Sequence, residues 1–112
     1  MIRLCLFLLL LPGLAQAACR QALSLGLDVS SSVDDSEYRL QLNGVIAALN
    51  AETVQEIFFA QPDVPIRIHV YVWSGPVNQT IIVPWTIIED PSDLAEVTAR
   101  LQAHQRGVKA PN

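Results

Sequence analysis

Basic residues are scarce in this chain of 112 residues: seven Lys and Arg stand against eleven Asp and Glu, for a net charge of −4. They form no cluster, so the counterion-releasing contacts that hold nucleic acid have no source here, nor does attraction to anionic lipid. Cysteine is scarcer still, with only Cys5 and Cys19, too few for a disulfide framework. The two histidines, His69 and His104, have no second His or Cys at ligand spacing, and read as solvated or hydrogen-bonded residues. The common marks of an active site are missing as well. No G-x-S-x-G elbow surrounds a serine, no second aspartate at position 30 makes a phosphoryl-transfer D-x-D, and neither histidine has a located orienting acid. The chain therefore reads as a non-enzyme. A metal-dependent phosphoesterase or hydrolase using Asp28 or Ser30 is the least favoured alternative.

What is present begins with a leader. Arg3 supplies a positive start, Leu4 to Leu11 is nearly continuous in apolar residues, Pro12-Gly13 breaks the run, and Ala15-Gln16-Ala17 fits the small-x-small cleavage rule. The apolar core from Leu4 to Leu14 falls short of the ~20 residues a spanning helix needs, so residues 1–18 read as a signal peptide. The product is expected to be exported, periplasmic or secreted, with no membrane span after cleavage near Ala18 or Cys19. Cleavage removes Arg3 and no acid, leaving six basic residues against eleven acidic ones, a net charge of −5. Cys5 leaves with the leader. Cys19 then stands alone, open to lipidation, an intermolecular bond or a partner cysteine outside this chain.

The remaining chain reads as one small α/β unit over residues 19–106, with 107–112 as an unpatterned tail. Ala22 to Val29 is apolar without alternation, as expected of a strand buried on both faces of a parallel sheet. A helix is expected from Asp34 or Asp35, where an acid caps the first amides. Its stripe is Tyr38, Leu42, Val45, Ile46 and Leu49. A second, short helix spans Glu52 to Ala60 with Val54, Ile57 and Phe58 inward. Ile66, Ile68, Val70 and Val72 alternate with Arg67, His69, Tyr71 and Trp73, which predicts a strand. The cluster Ser74 to Asn78 is a turn into a second strand from Gln79 to Trp85, forming an antiparallel hairpin, with Pro84 suited to a sheet edge. Trp73 and Trp85, flanking the hairpin, are expected to pack inside. Asn78-Gln79-Thr80 matches a glycosylation pattern but reads as turn residues. Asp90-Pro91-Ser92-Asp93 starts a last helix with a cap, a proline at the first position and an acid three after the cap. That helix buries Leu94, Val97, Thr98 and Leu101.

The chemistry is concentrated where the first strand ends, in Leu23 to Asp35. Asp28, Ser30 and Ser32 share a parity, so an extended loop turns one carboxylate and two hydroxyls the same way. Hard oxygens of low total charge suit partly hydrated Mg²⁺ better than a fully caged Ca²⁺. A Ser-rich turn with Asp28 and Ser32 as caps is the plainer reading of the same residues. Asp34 and Asp35 read as cap and dipole partners rather than ligands.

This D-x-S-x-S loop after an apolar strand resembles the metal-ion-dependent adhesion site of von Willebrand factor type A domains. The stretches ALSLGLDVSSSVDDSEYRLQLNGVIAAL, VYVWSG and PWTII resemble a bacterial exported subgroup of that family, DUF1194. The resemblance implies an incomplete doubly wound (von Willebrand factor A, Rossmann-like) sheet with an antiparallel edge hairpin. It implies Asp28, Ser30 and Ser32 as ligands for Mg²⁺, with Mn²⁺ or Ca²⁺ as substitutes, the serines bonding directly and the aspartate often through water. It also implies a threonine and an aspartate from two later loops, and a later cysteine, all beyond residue 112. The expected function is an exported protein-binding module of the adhesion type, whose metal accepts an acidic side chain from a partner protein. The alternative is a nonfunctional amino-terminal fragment with an open sheet edge and an uncovered apolar face.

Overall fold

The computed structural model describes residues 19–104. The leader expected over residues 1–18 and the tail expected over 107–112 lie outside them. The order is β1 (Gln21–Asp28), α1 (Asp35–Asn50), α2 (Glu52–Phe59), β2 (Ile66–Trp73), β3 (Gln79–Ile88) and α3 (Pro91–Ala103). Every element anticipated from the sequence is present. β3 runs three residues further than expected, through Ile88.

The strands form one sheet in the order β1-β2-β3. β1 and β2 are parallel, with Leu23 beside Ile68, Leu25 beside Val70 and Leu27 beside Val72. A parallel pair needs a crossover, and α1 with α2 supplies it. β3 returns antiparallel to β2, with register shifts between Ile68 and Tyr71 of β2. Pro84 falls in that irregular stretch on an edge strand, where its missing amide donor costs least. The hairpin closes through Ser74 N–H donating to Asn78 O at 2.9 Å. Gly75 within it has φ +74°, a left-handed conformation that glycine adopts without penalty.

Local chemistry fixes the helix ends. Asp34 accepts from Glu37 N at 2.8 Å while the Glu37 carboxylate accepts from Asp34 N at 2.9 Å, a reciprocal capping box. α3 opens the same way: Asp90 accepts from the Ser92 and Asp93 amides, and Asp93 accepts from Asp90 N. The hydrogen bond from the Ser92 hydroxyl, then those from the Ser92 and Asp93 amides, hold the Asp90 carboxyl below its ordinary value. At the far end of α2 the Arg20 guanidinium donates to Ile57 O at 2.5 Å and Phe58 O at 3.2 Å. Those carbonyls lack partners within the helix.

One hydrophobic core lies between the helices and one face of the sheet. It holds Tyr38, Leu42, Ile46 and Leu49 of α1, Phe58 of α2 and Leu94, Val97 and Leu101 of α3. The sheet contributes Leu27, Ile66, Ile68, Val70, Val72, Val83 and Ile88, with Leu23 and Leu25 packed against it. Thr98 is buried too, its hydroxyl donating to Ala95 O at 3.0 Å. The alternation of β2 and the stripes of α1 and α3 are therefore as the sequence predicts.

Three expectations of burial are corrected. In β1 only Leu27 is fully buried, and Ala22, Ser24 and Gly26 are exposed. β1 is an edge strand, and among the described residues no helix covers the second face. Trp73 and Trp85 are 37% and 53% exposed rather than buried, because both project from that same face. Ile57 is 63% exposed. α2 buries the line through Val54 and Phe58, one turn apart, and Ile57 lies about 100° off it.

Candidate metal centre

β1 delivers Asp28 to the carboxyl end of the sheet beside Trp73 of β2, and Val29 N–H donates to Trp73 O at 2.9 Å as the last bond of the parallel pair. The chain then leaves the sheet. Ligand sites of open α/β sheets lie at this end, where a loop leads from strand to helix. The loop is short because the capping box of α1 begins only six residues after Asp28 in sequence, at Asp34.

Within the loop Asp28 Oδ1 accepts from the Ser30 amide at 2.8 Å, which folds the serine back over the carboxylate. Ser30 Oγ and Ser32 Oγ lie 3.0 Å apart. Val33 N–H donates to Ser30 O at 3.0 Å, closing the turn that holds the two hydroxyls together. Gln41, nearly two turns into α1, donates its side-chain amide to Asp28 O at 3.3 Å and ties the helix to the end of the strand. The three residues singled out from sequence are thus brought together by two short bonds.

The spacing of the donors can be compared with the ion they are expected to hold. Octahedral Mg²⁺ binds oxygen at about 2.1 Å, so neighbouring ligand oxygens in its shell are separated by about 3 Å. The Ser30–Ser32 separation matches that edge, and a hydroxyl pair can turn its protons outward without moving its oxygens. One carboxylate and two neutral hydroxyls are a hard donor set of low charge, suited to an ion that retains several waters. The two hydroxyls are therefore spaced as neighbouring ligands of a partly hydrated divalent cation would be. No group of three or more His, Cys, Asp or Glu that could hold a metal ion is assembled among the described residues.

The other residues weighed from sequence lie elsewhere. Asp34 is occupied as the helix cap, as expected. His69 lies on the exposed face of the sheet, its Nδ1 2.9 Å from Ser24 Oγ and its ring stacked on Tyr71 and Trp85 at 5.5 and 5.0 Å. His104 caps the end of α3, its ring edge-on to Tyr38 at 6.4 Å. Burial, and then the nearby Arg39 charge, push its pKa below the ordinary value. Cys19 is exposed and forms no disulfide among the described residues, its Sγ 3.1 Å from Gln21 O.

Gln41 was not anticipated from sequence. Its signal was available, as an uncharged polar residue beside the stripe of Tyr38, Leu42 and Val45 on the helix that follows the loop. The partner carbonyl could not be read without the crossing of α1 over β1. No helix of the described residues is long and apolar enough to cross a membrane.

Comparison with known proteins gives one family. The family model described as "Protein of unknown function (DUF1194)" matches residues 18–112. No curated protein and no solved structure matches the chain.

Proposed function

We propose, from the premise that this chain belongs to the protein family of unknown function DUF1194, that it is an exported binding module working through a divalent cation at Asp28, Ser30 and Ser32. The observation that carries the reading is the turn at the carboxyl end of β1, in which the Ser30 amide donates to Asp28 Oδ1 at 2.8 Å and the Ser30 and Ser32 hydroxyls lie 3.0 Å apart. The three-stranded α/β sheet is read as the amino-terminal portion of a doubly wound, von Willebrand factor A-like sheet.

Ser30 and Ser32 would hold the ion through their hydroxyl oxygens, and Asp28 would supply the negative charge. Such an ion, when bound, offers an open coordination position to a carboxylate. The loop's own work is positioning. The Ser30 amide fixes the Asp28 carboxylate, Gln41 fixes the Asp28 carbonyl, and the Asp34–Glu37 box stops α1 from unwinding into the loop. An acidic side chain of a partner protein is the ligand such a position selects, because charge-assisted ligation outcompetes neutral oxygen donors. Three donors of a single negative charge hold Mg²⁺ weakly. Millimolar Mg²⁺, or Mn²⁺ in its place, is the expected working range.

The test is direct. Mn²⁺ is titrated into the full chain and followed by electron paramagnetic resonance, then an acidic peptide is added as the carboxylate probe. One site should appear and should be lost in Asp28→Ala, and peptide binding should vanish with EDTA. Peptide binding that survives EDTA would refute the proposal.

A further inference from the structure

The loop after β1 shares its end of the sheet with the β2–β3 hairpin. Asp28 pairs with Trp73 in the parallel register, and Val29 N–H donates to Trp73 O at 2.9 Å, so the last residue of β1 lies beside the last residue of β2. Because the two strands are parallel, the hairpin turn leaves the sheet in the same direction as the loop. The bond from Ser74 N–H to Asn78 O closes that turn and leaves Gly75, Pro76 and Val77 as its tip. Val77 is 86% exposed, the most exposed of the large hydrophobic residues described. In a doubly wound sheet helices cover both faces, but the carboxyl ends of the strands stay open as the ligand crevice. The tip lies at that end, so a second helical layer would leave it uncovered.

We infer that this tip is the second contact of the partner segment whose carboxylate meets the cation, an inference that rests on the proposed metal site and narrows the chemistry of its partner. A cation ligated by one carboxylate does not tell one acidic segment from another, so selection falls to the side chains around it. On the α1 side these are acidic, with Asp34 as the cap and Asp35 and Glu37 in the first turn, and a run of acids in the partner is repelled there. On the β2 side they are Gly75, Pro76 and Val77, uncharged and without a side-chain donor or acceptor. The segment that suits both sides carries a single carboxylate and, toward β2, an apolar side chain.

The geometry sets the spacing. Strands about 4.8 Å apart, and a tip about two or three residues beyond Trp73 at about 3.3 Å each, put the tip roughly 10 Å from the end of β1. An extended peptide covers that distance in about two to three residues. The partner is therefore an exposed, extended segment with one acidic residue and an aliphatic or aromatic residue about two or three positions from it. Covering Val77 makes that apolar residue worth roughly tenfold in affinity.

Two labelled peptides test this on the full chain loaded with Mn²⁺. One is a Gly/Ser peptide with a single central Asp, and the other carries Leu at the second and third positions on either side of that Asp. Electron paramagnetic resonance reads the Mn²⁺ and fluorescence anisotropy reads the peptides, with and without EDTA. The leucine peptide should bind roughly tenfold more tightly. Val77→Ser should remove that preference with Mn²⁺ binding and far-ultraviolet circular dichroism unchanged, and Val77→Leu should keep it. Equal affinity for the two peptides in the Mn²⁺-loaded parent, or a preference that Val77→Ser leaves intact, overturns the inference while the metal ligands stand. Leucine-peptide binding undiminished by EDTA overturns it too, since the apolar contact would then lie apart from the metal. A parent chain that takes up no Mn²⁺ removes the metal reading and the inference together.

Discussion

The two faces of the sheet are built from the same strands, yet they have opposite fates. On one, Ile68, Val70 and Val83 are completely shielded beneath α1 and α3. On the other, Trp85, Ile81 and Ile87 stand in solvent with no covering element among the described residues. Apolar character alone therefore does not decide burial. The covered face is the one to which capped, amphipathic helices return. The open face is more polar, with Ser24, Arg67 and His69 among its aromatic residues, and has no covering layer among the described residues; its rings pack on one another instead.

That contrast should break first at the covered face. Ile68→Ala removes three carbons from a site with no exposure and should cost about 3 kcal/mol in urea unfolding, whereas Ile81→Ala should stay within about 0.5 kcal/mol. Equal losses at the two positions would mean that the open face is covered in solution. Next in size is Asp34→Ala. Losing the cap of α1 should cost about 1 kcal/mol and should loosen the metal loop, seen as faster amide exchange at Ser30 and Val33. Gly26→Ala probes the open face from below. The added methyl must displace the Tyr71 ring, whose free end can move, so the loss should be about 1 kcal/mol or less with a clear change in near-ultraviolet circular dichroism.

The smallest effect is one of pH and belongs to the covered side. His104 has its folded pKa lowered by burial, and then by Arg39, from an ordinary value of 6.5. Below 6.5 the unfolded chain takes the proton first, so stability should be full above that pH and should fall as pH drops toward the lowered folded value. His104→Gln should flatten this part of the stability–pH curve, measured by thermal melts between pH 7.5 and 5 or so.

Much of this architecture was legible because it is local. The alternation from Ile66 to Trp73, the stripe of α1 and the Asp90-Pro91 start each need only a few neighbouring residues, and each appears as read. The Asp28–Ser30–Ser32 cluster was legible for the same reason, since a five-residue loop closes on itself. What could not be read depends on layers. The apolar run of β1 resembles a strand covered on both faces, because Leu23, Leu25 and Leu27 fix one buried side and the small residues between them leave the other undecided. Trp73 and Trp85 were misplaced for the same cause, as nothing near them in sequence states how many helical layers the sheet carries. Gln41 reaches the Asp28 carbonyl only through the packing of α1 on β1. The Asp34–Glu37 box, by contrast, is a local pattern that the expectation of a single capping acid left half described.

The central claim is that the loop after β1 binds a divalent cation through Asp28, Ser30 and Ser32. Its most direct measurement is Mn²⁺ titration of the full chain beside Asp28→Ala and the double variant Ser30→Ala/Ser32→Ala, with thermal melts confirming that each protein is folded. The account predicts one site, competed by Mg²⁺, in the parent chain and none in either variant. Mn²⁺ binding that persists undiminished in both folded variants would contradict it.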